Sequence, residues 1–145
     1  MAAVQEILAK KGSQVLTVSK DATVLEAALI MNEGRVGALV VLEGGQIAGM
    51  FSERDVLRRV VGERRDPATT PVSAVMSEEV ACCRPDTTVE EARVAMKDRR
   101  IRHLPVVDET GGLLGLVSIG DLNAFQASSQ EQTIHLLHEY LYGRV

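Results

Sequence analysis

Two serine–aspartate pairs are the residues of this chain best suited to hold a small polar ligand. Ser52 and Asp55 stand in Gly49-Met50-Phe51-Ser52-Glu53-Arg54-Asp55, and Ser118 and Asp121 stand in Gly115-Leu116-Val117-Ser118-Ile119-Gly120-Asp121. Each Gly-x-x-Ser-x-x-Asp closes an apolar run that reads as a strand and opens a helical pattern. A hydroxyl and a carboxylate therefore fall on a first helical turn, where backbone N–H groups have no partner within the helix. Such a turn binds anions, and its carboxylate can accept two hydrogen bonds from a ribose diol. Charge-assisted bonds of this kind contribute about 1.5–3 kcal/mol each. The same spacing also makes a helix cap, in which the serine and the acid satisfy backbone groups with no ligand at all. One copy does not separate the two uses. Two copies in matching contexts suggest a duplicated small-molecule site.

Other reactive groups are few. Cys82 and Cys83 are the only cysteines. Adjacent strand residues point to opposite faces, so the two form neither a disulfide pair nor a C-x-x-C motif, and they suit a reducing compartment. His135, His138 and Glu139 sit close together near the C-terminus but are too few for a metal centre, and no metal is expected. No nucleophile–base pair, P-loop or dinucleotide fingerprint occurs. Gly44-Gly45 and Gly111-Gly112 precede strands rather than helices, so they are turn glycines. The chain reads as a binding protein and not as an enzyme.

Composition narrows the partners. The net charge of −4, the 3% aromatic content and the absence of Trp make a nucleic-acid partner unexpected. The longest apolar run, Ala38-Leu39-Val40-Val41-Leu42, is far too short to cross a bilayer. Residues 1–12 show no secretory signal pattern, so a cytoplasmic setting with no membrane contact is expected.

The two motifs are positioned by an internal repeat. Asp21-Ala22-Thr23-Val24 aligns with Asp86-Thr87-Thr88-Val89, Val36 with Ile101, and Leu39-Val40-Val41-Leu42 with Leu104-Pro105-Val106-Val107. One extra residue in the second turn shifts the rest of the register. Each copy predicts a short strand (Val15–Val18; Val80–Cys83) and a helix opened by Thr23-x-x-Glu26 or Thr88-x-x-Glu91. A hairpin follows, and then the motif with its helix (Arg54–Val61; Gly120–Gln126). The order is β-α-β-β-α, twice. Units this small bury too little surface to be stable alone, so the two should share a pseudo-symmetric interface. The expected organisation is a lead-in helix over 1–14, unit one over 15–62, and a linker with a second lead-in over 63–79. Unit two spans 80–126, and 127–145 is a polar loop and an amphipathic helix, Thr133–Tyr142.

Taken together, the two motifs, the Asp-x-Thr-Val helix starts and Arg102-His103-Leu104-Pro105-Val106-Val107-Asp108 resemble a tandem pair of CBS domains, a Bateman module of the stand-alone type. The resemblance covers nearly the whole chain. It implies a mixed α+β fold in which the two units pack through their sheets about a pseudo-two-fold axis. It further implies adenine-nucleotide clefts between the units, taking AMP, ADP or ATP with NAD as an alternative, and a disc-like homodimer of four units that signals to a regulated protein. By family geometry the first cleft combines Thr17, Val18, Ala22, Met50, Phe51, Ser52, Arg54 and Asp55 with Arg102 and His103 of unit two. The second combines Cys83, Thr87, Leu116, Val117, Ser118 and Asp121 with Gly37 and Ala38 of unit one. Asp55 and Asp121 would hold the riboses. Arg102 and His103 have only Gly37 and Ala38 as counterparts, so the Asp55 cleft is expected to take phosphates and the Asp121 cleft a less charged or bulkier ligand. The other reading is a structural dimerisation module whose motifs are helix caps alone.

Overall fold

The structure, a computed structural model, describes residues 2–128. The terminal helix expected over Thr133–Tyr142 and the His135/His138 pair lie outside the described residues.

Unit one contains β1 (Thr17–Ser19), α2 (Val24–Gly34), β2 (Ala38–Glu43), β3 (Gln46–Ser52) and α3 (Glu53–Asp55), and α3 runs on as a π-helix over Val56–Val61. The lead-in helix α1 (Val4–Lys11) precedes it. Unit two contains α4 (Val89–Arg99), β4 (His103–Val107), β5 (Leu113–Ser118) and α5 (Ile119–Ser128). In unit one β1 runs parallel to β2, and β2 pairs antiparallel with β3. In unit two β4 pairs antiparallel with β5. The strand expected over Val80–Cys83 is reduced to one parallel bridge, Cys83 to Val106. It is held by Cys83 N–H to Pro105 O and Val107 N–H to Cys83 O, both 2.9 Å. The β1 position is therefore kept in both copies, as a strand in one and a single rung in the other.

Both main helices start where the capping threonines stand. Thr23 accepts from Glu26 N–H and Thr88 from Glu91 N–H, each at 3.1 Å. Only the second box is reciprocal, with Thr88 N–H donating to Glu91 Oε1 at 3.2 Å. Both helices end in a left-handed arginine, Arg35 at φ 54° and Arg100 at φ 55°.

The two cores exchange their lead-ins. Val4 and Ile7 of α1 pack with Cys83, Val89, Ala92, Met96, Leu104, Val106, Val117 and Leu122 of unit two. Val72 and Val75, in and beside a single 3₁₀ turn where a second lead-in helix was expected, pack with Val24, Ala27, Met31, Leu39, Val41 and Phe51 of unit one. Each lead-in thus completes the unit it does not immediately precede. Equivalent backbone bridges fix it there: Ala3 to Thr88 on one side and Pro71 to Thr23 on the other. Removing the apolar side chains of a lead-in would open the opposite unit's core, which ties the two small units into one folding entity.

Candidate functional site

Strands β3 and β5 carry the two motifs to the same place in each unit. Their glycines make room for the lead-ins. A Cβ on Gly49 would come within 2.6 Å of Ser77 O, and one on Gly115 within 2.8 Å of Leu8 Cδ2. What approaches these glycines is the lead-in. Met50 N–H and C=O are both spent on Ser77, at 3.0 and 2.9 Å.

At the strand ends both serine–aspartate pairs form helix caps. In unit one Asp55 Oδ2 accepts from Ser52 N–H at 3.0 Å and from the Ser52 hydroxyl at 3.3 Å. In unit two Asp121 Oδ2 accepts from Ser118 N–H at 2.8 Å, and Ser118 Oγ accepts from Asp121 N–H at 3.0 Å. The capping use of the motif is thus realised in both copies.

Each aspartate also meets a cation, and the two cations differ. Arg59 Nε lies 3.7 Å from Asp55 Oδ1, beyond hydrogen-bonding distance. Its guanidinium is tied to the carbonyls of Val75 and Met76 at 3.1 and 2.9 Å. Lys11 Nζ lies 2.6 Å from Asp121 Oδ2 and 2.9 Å from Leu116 O. Asp55 is buried at 8% exposure. Burial pushes the Asp121 carboxyl up, but the Lys11 ammonium and the Ser118 N–H outweigh it and hold its pKa below the ordinary 3.8. The premise that the Asp121 side lacks a cation therefore does not hold. Lys11 was missed because it comes from outside both repeat units; its only sequence signal was a Lys-Lys pair at the end of a lead-in helix.

The remaining expected residues divide by burial. Thr17, Ala22, Met50, Thr87 and Leu116 are half-buried. Val18, Phe51, Cys83 and Val117 are core residues, so their side chains do not line an open cleft and only their backbones could meet a ligand. Arg54 is exposed beside Asp55.

The Arg102-His103 and Gly37-Ala38 pairs sit beside the motif of their own unit. His103 is in register with Ser118, and Arg102 O accepts from Ile119 N–H at 2.9 Å. Ala38 is in register with Ser52, and Gly37 O accepts from Glu53 N–H at 3.0 Å. Burial lowers the His103 pKa below 6.5, against the opposing pull of Asp121; Lys11, Arg102 and Glu53 are the other charges acting on it. Of these, Glu53 alone comes from unit one, where its carboxylate lies over Gly37. The structure therefore groups His103 with Asp121, Lys11 and Glu53. Among the described residues no cluster of three or more His, Cys, Asp or Glu side chains could hold a metal ion.

The duplication seen in the fold is also found by comparison with known proteins. The chain matches the CBS domain twice, over residues 4–62 and 72–127. The chain belongs to the CBS domain family. It is 42% identical over 118 residues to the CBS domain-containing protein YhcV of Bacillus subtilis, covering 81% of this chain and 83% of that protein. A CBS-domain protein from Burkholderia ambifaria superposes with a TM-score of 0.86 at 38% identity, covering 90% of this chain and 97% of the other. The CBS pair of protein MJ0100, solved in complex with 5′-methylthioadenosine and S-adenosyl-L-methionine, shares the fold with a TM-score of 0.77 at 20% identity, over 86% and 98% of the two chains. Among the described residues, no helix is long and apolar enough to cross a membrane.

Proposed function

We propose that this CBS pair is a non-enzymatic regulatory module that binds adenine nucleotides and passes the bound state to a partner protein by a change in packing. The observation that supports it most is the pair of equivalent carboxylates, Asp55 and Asp121, each placed at a helix start where its strand meets a lead-in from across the molecule. A ribose diol taken up by either carboxylate disturbs a cap that stands beside a cation. In unit one the cation holds the second lead-in through Val75 and Met76; in unit two it belongs to the first lead-in itself. Each lead-in is part of the opposite unit's core, so binding at one motif acts on both units. That is the coupling by which a ligand shifts a conformational population.

AMP, ADP or ATP, with NAD as the alternative, are the ligands we assign. The fold that holds two adenosine derivatives in MJ0100 gives this reading its precedent. Arg54 is assigned to phosphates in the first cleft; Arg102 and His103 stand beside the Asp121 motif, and of the unit-one charges only Glu53 acts on His103. The two free cysteines, one exposed and one buried, suit the reducing cytoplasm. Titration calorimetry with AMP, ATP and NAD is the test. Affinity near micromolar, on the order of −8 kcal/mol, is expected; neither heat nor a thermal shift with any of the three would overturn the reading.

A second reading is a dimerisation or adaptor module. It is favoured by the completed caps of both motifs and by the exposed Leu25, Leu29, Leu57 and Val61 on the helices of unit one. A homodimer that forms and melts identically with and without nucleotide would favour it.

A further inference from the structure

We infer that Lys11 sets the charge preference of the Asp121 cleft, favouring nucleosides that carry a phosphate over uncharged ones. This rests on the nucleotide reading above.

A carboxylate offers about four lone-pair positions, two on each oxygen. Asp121 Oδ2 accepts from Ser118 N–H at 2.8 Å and from the Lys11 ammonium at 2.6 Å, so both of its positions are used. A ribose diol that engages both oxygens must displace one of these donors. Displacing the Ser118 N–H would uncap α5. Lys11 is the donor that can move: it ends α1, its side chain is 36% exposed, and Gly12 follows it. An ammonium that leaves a carboxylate for water loses a charge-assisted bond that another anion would restore, and its second bond, to Leu116 O, goes to a neutral carbonyl. An uncharged nucleoside brings no anion. A nucleotide brings its phosphate, and Lys11 exchanges one oxyanion for another.

The Asp55 cleft has no such filter. Among the described residues, Asp55 Oδ2 is held only by the Ser52 N–H and the rotatable Ser52 hydroxyl, and Arg59 stands 3.7 Å from Oδ1 with its guanidinium fixed on two carbonyls. A diol binding there displaces no directly bonded cation.

Adenosine and AMP titrated into the full chain provide the test, in an Asp55→Ala background that silences the first cleft. With Lys11 present, AMP binds about ten-fold or more tightly than adenosine. With Lys11→Met, the AMP-to-adenosine affinity ratio falls about ten-fold or more, the loss of one charge-assisted contact. Lys11→Arg keeps the preference. An unchanged ratio in Lys11→Met overturns the inference and leaves the nucleotide reading standing; so does a Lys11→Arg chain that behaves like Lys11→Met. If neither ligand binds these chains or the native protein, the nucleotide reading fails and this inference fails with it.

Discussion

The two units share a ground plan and differ in how they are tied down. In unit one the motif aspartate is buried, loosely paired with an arginine of its own helix, and the following segment is wound as a π-helix. In unit two the aspartate is more exposed, directly bonded to a lysine from the chain's first helix, and α5 is an ordinary α-helix. Unit two also links its helices through Arg93, which donates to Asn123 Oδ1 at 2.8 Å and Gln126 Oε1 at 2.7 Å. The Arg93 position corresponds to Ala28 in unit one. Duplication preserved the caps, and divergence went into the cations around them. π-turns inside helices are frequent at functional sites, and here one directly follows Asp55.

The largest expected effect comes from separating a unit from its borrowed lead-in. Ile7→Ala should cost about 2–5 kcal/mol, as buried aliphatic truncations do. Hydrogen exchange should show β4 and β5 losing protection before β2 and β3. Protection lost first in unit one would mean that α1 does not complete unit two. Next comes a contrast between the motif glycines. Gly49→Ala pushes a methyl against a backbone carbonyl and should destabilise by about 1–3 kcal/mol. Gly115→Ala meets only the end of the Leu8 side chain, and chemical denaturation should find it milder; equal costs would break the distinction. The capping boxes give a smaller difference. Glu91→Ala removes a return bond that Glu26→Ala does not, so only the former should lower the melting temperature, by a loss of about 0.5–1 kcal/mol.

The smallest effect is in pH. Burial lowers the His103 pKa, so folding favours its neutral form, and that contribution is complete above the ordinary 6.5 and lost as pH falls through the lower folded value. Asp121 works the same way in a lower window: its depressed pKa gives stability present above 3.8 and lost below it. His103→Gln should flatten the stability profile just below pH 6.5, and Lys11→Met should flatten it below pH 4. Profiles that match the native one would place neither group where the structure does.

The repeat, the helix starts and the α+β pairing were legible because they rest on local rules: threonine caps, strand alternation and turn glycines. The lead-in exchange was not. Val4 and Ile7 look the same in sequence whichever unit they cover, since burial against a distant partner has no local signature. Val80–Cys83 has strand composition, yet it makes one rung, because pairing depends on what lies alongside. At the site, Asp55 and Asp121 were visible as a repeated pattern. Lys11 was not, because it enters from outside the repeat, and Glu53 was not, because its counterpart is the apolar Ile119. Val18 and Phe51 were assigned to the cleft by the family resemblance, but the alternation of faces turns their side chains into the core.

The most direct test of a nucleotide-binding role carried by the paired carboxylates is calorimetric titration of AMP into the native chain, Asp55→Ala and Asp121→Ala. Two sites in the native protein and one in each variant, with melting cooperativity retained, are the result predicted here. Unchanged binding in both variants would show that these aspartates are helix caps and nothing more.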